Sequence, residues 1–103
     1  MSDRRVVRAT HSFFVDLDRQ LGDERGPAGE PSRGDFQALE LLEIVERFAT
    51  GWDDLPQPIQ GRPDYRLLIA AGVLIPMYSV TGQLAPDGAV ELVYIELDAE
   101  PHW

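Results

Sequence analysis

The chain has 103 residues, 18 Asp plus Glu against 9 Lys plus Arg, and a formal net charge of −9 with both histidines neutral. That length supports one core but not two, and 44% hydrophobic with 26% charged residues places the chain with globular rather than disordered proteins. Cysteine is absent and all nine cations are arginine, which excludes a disulfide framework, a Cys metal cluster, lysine Schiff-base chemistry and a P-loop lysine, while the anion excess argues against a broad nucleic-acid surface.

Arg4 to Ala9 is β-prone, and Thr10 supplies a hydroxyl that caps a helix beginning at His11 or Ser12. Phe14, Leu17 and Leu21 recur at spacings of three and four with Phe13 widening the stripe, so this segment is an amphipathic helix stopped at Gly22. Residues 22–34 hold four Gly and two Pro in a polar stretch and are expected to form an exposed loop. Ser32 and Asp35 fit a capping box, which predicts a second helix from Asp35 or Phe36 to Gly51. Its apolar stripe is expected at Ala38, Leu41, Leu42, Val45, Phe48 and Ala49, with Gln37, Glu40, Glu43, Glu46 and Arg47 on the opposite side.

Trp52 to Pro63 holds Pro56, Pro58 and Pro63 and forms a connector. The period then becomes extended. Strands are predicted at Tyr65 to Ala71, Val73 to Thr81 and, after the Pro86-Asp87-Gly88 turn signal, Ala89 to Asp98. Pro76 cannot donate to a ladder and should sit at an edge or a bulge. The order β-α-α-β-β-β describes an α+β domain with two helices on one face of a mainly antiparallel four-stranded sheet, followed by a tail at residues 99–103. The longest apolar run, Leu67 to Met77, is interrupted by Gly72 and Pro76, no membrane span is expected, and no signal-like apolar region follows the first residues, so a cytoplasmic protein is the expectation.

The element order resembles the RelE/ParE toxin superfamily, as do several short segments. Val6-Val7-Arg8-Ala9-Thr10 is similar to the family's first strand running into a helix start. Ile59 to Leu67, with Gly61, Tyr65 and Arg66, is similar to its approach to the second strand, and Ile75-Pro76-Met77-Tyr78-Ser79-Val80 is similar to its third strand. The match spans most of residues 4–98 with short, degenerate motifs. In the RNA-cleaving branch the resemblance implies a set of Lys and Arg on the open sheet face with a Tyr or His helping, which would map to Arg62, Arg66 and Tyr78. The third-strand arginine position is Ile75 here, no lysine is present, and residues 40–103 carry 11 acidic and 3 basic residues, net −8. A degenerate, acidic member without ribonuclease activity is therefore the expectation, with an active toxin, either an mRNA endoribonuclease or a gyrase inhibitor, as the alternative. An unrelated small α+β domain is the second alternative.

Strict alternation would point Leu67, Ile69, Leu74, Tyr78, Val80, Val93, Ile95 and Leu97 toward the helices. Arg66, Leu68, Ala70, Ile75, Met77, Ser79, Leu92, Tyr94 and Glu96 would then point away. A face bearing Leu68, Ile75, Met77, Leu92 and Tyr94 implies a cover: a protein partner of antitoxin type, a second copy of the chain, or the tail through Trp103. Partner contacts are expected at Arg66 and these five residues.

The remaining candidates read as ordinary surface or packing groups. His11 and His102 have no second ligand at metal spacing, so no metal or other cofactor is expected. Glu40, Glu43 and Glu46 could in principle hold a divalent cation but are expected to form a solvated row, and Asp53-Asp54 is either a ligand loop or a helix-exit turn. Arg62 with Arg66 is either an anion clamp or a pair of structural cations, with Glu96 as a candidate partner of Arg66. Tyr78 and Tyr94 are acid/base candidates, but packing is the expected role of aromatic residues in strands. Arg4, Arg5 and Arg8 either meet an acidic partner or pair with the chain's own acids.

Overall fold

A computed structural model describes residues 4–27 and 31–98. The tail at 99–103, with His102 and Trp103, lies outside the described residues. The elements are β1 (Val7–Ala9), α1 (His11–Gln20), α2 (Arg33–Gly51), a 3-10 turn (Trp52–Asp54), β2 (Tyr65–Ala70), β3 (Met77–Leu84) and β4 (Val90–Asp98). They form one sheet of order β1-β4-β3-β2, antiparallel except for the parallel β1–β4 pair.

Local chemistry sets both helix starts. Thr10 caps α1 by accepting from Phe13 N–H, and Ser32 with Asp35 makes a complete capping box that begins α2 at Arg33, two residues earlier than expected. In α1 the buried residues are Phe13 and Leu17, followed by Leu21 just past its end. In α2 the buried line is Phe36, Glu40, Ile44, Phe48 and Ala49; of the expected stripe Phe48 and Ala49 are buried, Leu41 and Val45 are half-buried, and Ala38 and Leu42 are exposed. Apolar residues occur on nearly every side of this helix, so its orientation is chosen by the sheet it packs against rather than by its own periodicity.

Phe13, Leu17, Leu21, Phe36, Ile44 and Phe48 join Leu68, Ile75, Tyr78, Val80, Val90, Leu92 and Ile95 in one core. The core overturns part of the expected alternation. Leu68 and Leu92 face the helices and Ile75 is buried in the 71–76 loop, so none of the three lies on the open face. Three causes act. Leu67 to Ala71 is apolar at both parities, which leaves the frame of β2 to packing. A bulge in β4 pairs Thr81 with Tyr94 but Gly82 with Leu92, so Val93 is an extra residue and Leu92 and Ile95 both point inward. Gly72 N–H donates to Ile75 O at 2.8 Å, folding 71–76 into a loop that carries Pro76 just outside β3. Burying a Leu or Ile contributes about 1.5–3 kcal/mol, so a frame that buries all three is favoured.

Gly82 is a close-approach position. A Cβ there would stand 2.6 Å from Phe48 Cε1, so the missing side chain lets α2 settle onto β3.

Candidate functional site

The face of the sheet opposite the core is built in cross-strand rows. Arg8, Glu91, Gln83 and Tyr65 form one row across the four strands; Tyr94, Thr81 and Leu67 the next; Glu96, Ser79 and Ile69 the third; Asp98 and Met77 the last. Ile69, Met77 and Tyr94 are 58%, 49% and 60% exposed, large apolar surfaces that the described residues leave uncovered. Acidic side chains sit among them on β4, namely Glu91, Glu96 and Asp98.

Two shallow depressions meet at Ser79 and Glu96. One, of about 530 Å³, runs between α1 and the sheet past Asp16, Arg19, Gln20, Thr81 and Tyr94. The other, of about 480 Å³, is lined by Ile69, Met77, Leu97 and Asp98. Arg19 pairs with Asp16, so the cation at the rim is already matched within its own helix. The result is a groove of mixed floor, with Ile69, Met77 and Tyr94 set among the hydroxyls of Ser79 and Thr81, and a net acidic wall.

Of the residues expected here, Met77 and Tyr94 are on this face, and Leu68, Ile75 and Leu92 are in the core. Ile69, expected to point inward, takes their place because β2 runs in the other frame. Arg66 shares the parity of Leu68 and faces the helix side. Its guanidinium donates to the carbonyls of Trp52 (3.1 Å), Asp53 (3.1 Å), Leu55 (2.9 Å) and Pro63 (3.2 Å) and lies over the Trp52 ring. It is a backbone clamp that closes the exit of α2, and neither an anion site nor a partner of Glu96.

Arg62 sits in the turn before β2, paired with Asp64 at 2.9 Å and over the Tyr65 ring. Asp64 raises the Arg62 pKa, and Arg62 in turn holds the Asp64 carboxyl below its usual range. Tyr78 is in the core edge-to-face with Phe36, and burial first, then the negative Glu40, push its phenol up. Arg62, Arg66 and Tyr78 therefore occupy a turn, a helix exit and the core, and do not converge on one site.

Glu40 departs furthest from expectation. Instead of joining a solvated row it is buried, with Oε1 accepting from Val73 N–H at 2.7 Å and Leu74 N–H at 3.3 Å. Its Oε2 is buried without a hydrogen-bond partner among the described residues. The carboxylate anchors the 71–76 loop to α2. A glutamate at the i+4 spacing of Phe36, Ile44 and Phe48 was the available signal, and its charge obscured it.

The amino-terminal arginines pair internally. Arg4 binds Glu46 at 2.6 Å and Arg8 forks onto Asp87 at 3.1 and 3.2 Å, beside a polar cleft of about 680 Å³ that Arg5 also lines. Among the described residues no cluster of three His, Cys, Asp or Glu side chains is placed to hold a metal ion. No described helix is long and apolar enough to cross a membrane.

Comparison with protein-family models, with curated proteins and with solved structures gave no match for this chain.

Proposed function

We propose that this chain is a RelE/ParE-like protein that works by binding a protein partner through the open face of its sheet. The observation that carries the reading is the exposure of Ile69, Met77 and Tyr94 on one sheet face that also bears Glu91, Glu96 and Asp98. An apolar surface of this kind favours burial, and its acidic wall selects an amphipathic segment rich in Lys or Arg. A polyanion such as RNA would meet repulsion on the same face.

The ribonuclease alternative has less support, because the cations it would use are committed elsewhere: Arg66 to four carbonyls and Arg62 to Asp64. The element order and the acidic open face favour a member of the cytoplasmic toxin–antitoxin type that acts by protein contact.

Titration calorimetry of the pure chain with the product of the adjacent open reading frame tests the reading. Binding that weakens at least tenfold in Tyr94→Lys and Met77→Lys, and that falls as salt is raised, supports it. Absence of binding, or binding indifferent to both substitutions, overturns it. Induced expression is the parallel test: growth arrest abolished by Arg62→Ala but untouched by Tyr94→Lys would favour the nuclease instead.

A further inference from the structure

The two edges of the sheet are treated differently. Along β4, beyond the short β1, side chains of Thr10, Ser12 and Gln20 occupy the backbone groups of Leu92, Val93, Ile95 and Leu97. At the β2 edge, Leu84 N–H donates to Asp64 O, so even-numbered residues of β2 bond to β3 and odd-numbered ones face outward. Pro56 O accepts from Leu67 N–H on that outer side. Past that point the C=O of Leu67, both backbone groups of Ile69 and the N–H of Ala71 face out, with no partner among the described residues. Natural edges are usually blunted by charge, proline or a bulge. This one carries none of these over Leu67 to Ala71.

The four groups are self-complementary. If a second β2 is laid antiparallel about a two-fold axis through Ile69, each Ile69 N–H meets the other copy's Ile69 C=O, and each Ala71 N–H meets the other copy's Leu67 C=O. In that register Ala71 is level with the other copy's Leu67, whose N–H is already held by Pro56 O, and each chain leaves the strand at the next residue, Gly72, whose N–H donates to Ile75 O of its own loop. Charge selects the same occupant. Residues 67–86 contain no charged side chain in a protein of net charge −9. A basic strand would find no acid along this stretch, whereas a second copy presents an equally uncharged one and keeps its carboxylates away from the seam.

We propose that Leu67–Ala71 is a self-association edge through which two copies join into one continuous eight-stranded sheet, each contributing the four strands β1-β4-β3-β2. The isologous contact sets Ile69 against Ile69 on the open face and merges the two grooves into one longer surface. This goes beyond the open-face reading, and each can fail without the other.

Light scattering across a concentration series should show the mass rise from the 11.5 kDa of one chain toward twice that value. Ile69→Lys places two like charges on the axis and should remain monomeric, while Tyr94→Lys, two strands from the edge, should associate as the parent does. The cysteine-free background permits a second test. Ile69→Cys should cross-link to itself under mild oxidation, since Cα atoms of such a pair stand about 5.5 Å apart, within disulfide reach, and Val6→Cys, exposed just before β1, should not. A monomer up to about 1 mM, or a dimer that forms equally with Ile69→Lys, overturns the proposal. Equal cross-linking of Val6→Cys and Ile69→Cys also overturns it.

Discussion

Gln20 accepts a 2.7 Å hydrogen bond from Leu97 N–H, and its Nε2 donates to Ile95 O at 2.8 Å and to Asp16 O at 2.9 Å. One carboxamide on the last turn of α1 thus stands in for a strand along β4, with both donors and its acceptor used. Thr10 Oγ1 and Ser12 Oγ extend the seam by donating to Leu92 O and Val93 O. The groove wall owes its shape to this stitching.

Gln20→Ala should therefore cost about 1–3 kcal/mol, because it strands backbone groups that the native seam satisfies. Chemical denaturation measures the loss, and hydrogen exchange should show the Leu97 amide among those that accelerate most. Gln20→Glu keeps the acceptor for Leu97 but sets a carboxylate against two carbonyl oxygens, so it should not restore stability at neutral pH.

The Glu40 anchor makes Gly72 a steric requirement. A Cβ at position 72 would lie 1.6 Å from Glu40 Oε2 and 2.9 Å from Ile75 O, so Gly72→Ala should destabilise by about 1–3 kcal/mol through overpacking. Glu40→Ala removes the acceptor of Val73 and Leu74 and is destabilising by itself. In the double variant the clash with residue 40 is gone, so the summed penalty should exceed the measured one. A double-mutant cycle reads that coupling directly; strict additivity would show that the two residues do not meet.

Arg66 should behave as a stability residue. Arg66→Ala removes charge-assisted hydrogen bonds to the exit of α2 and should lower stability by about 1.5–3 kcal/mol. Arg66→Lys should recover only part of it, because one ammonium cannot span carbonyls arranged around a planar fork. Partner binding by the folded Arg66→Lys protein should equal that of the parent, which calorimetry at a temperature below its unfolding transition would establish.

Acid should weaken the fold. The Arg25 guanidinium first, then Ser32 N–H, hold the Asp35 carboxyl below its usual range; Arg4 does the same for Glu46, Arg62 for Asp64 and Arg8 for Asp87. Each carboxylate binds a proton more readily in the unfolded chain, so its contribution is complete above the unfolded-state pKa of about 3.9–4.3 and is lost as pH falls through the lower folded value. The melting temperature should drop over that interval. Asp35→Asn should flatten the dependence, and 1 M salt should shrink it because these pairs are exposed.

The sequence by itself determined the element order, the residues that cap both helices and the position of the connector. Thr10, Ser32 with Asp35, and the prolines at 56, 58 and 63 act within a few residues of where they stand, so their consequences are legible without a fold. Tertiary structure decided which faces are buried. Leu67 to Ala71 is apolar at both parities, β4 changes parity at Val93, and α2 is apolar on most of its circumference; each has several local solutions, and only packing selects one. The same holds for the polar residues that matter most. Glu40 and Gln20 are helix residues of ordinary local character, and the backbone groups they satisfy are 33 and 77 positions away along the chain. The net −9, by contrast, kept its meaning: sequence showed that charge was scarce on the positive side, and the fold showed where the acids stand, beside Ile69, Met77 and Tyr94 on the open face.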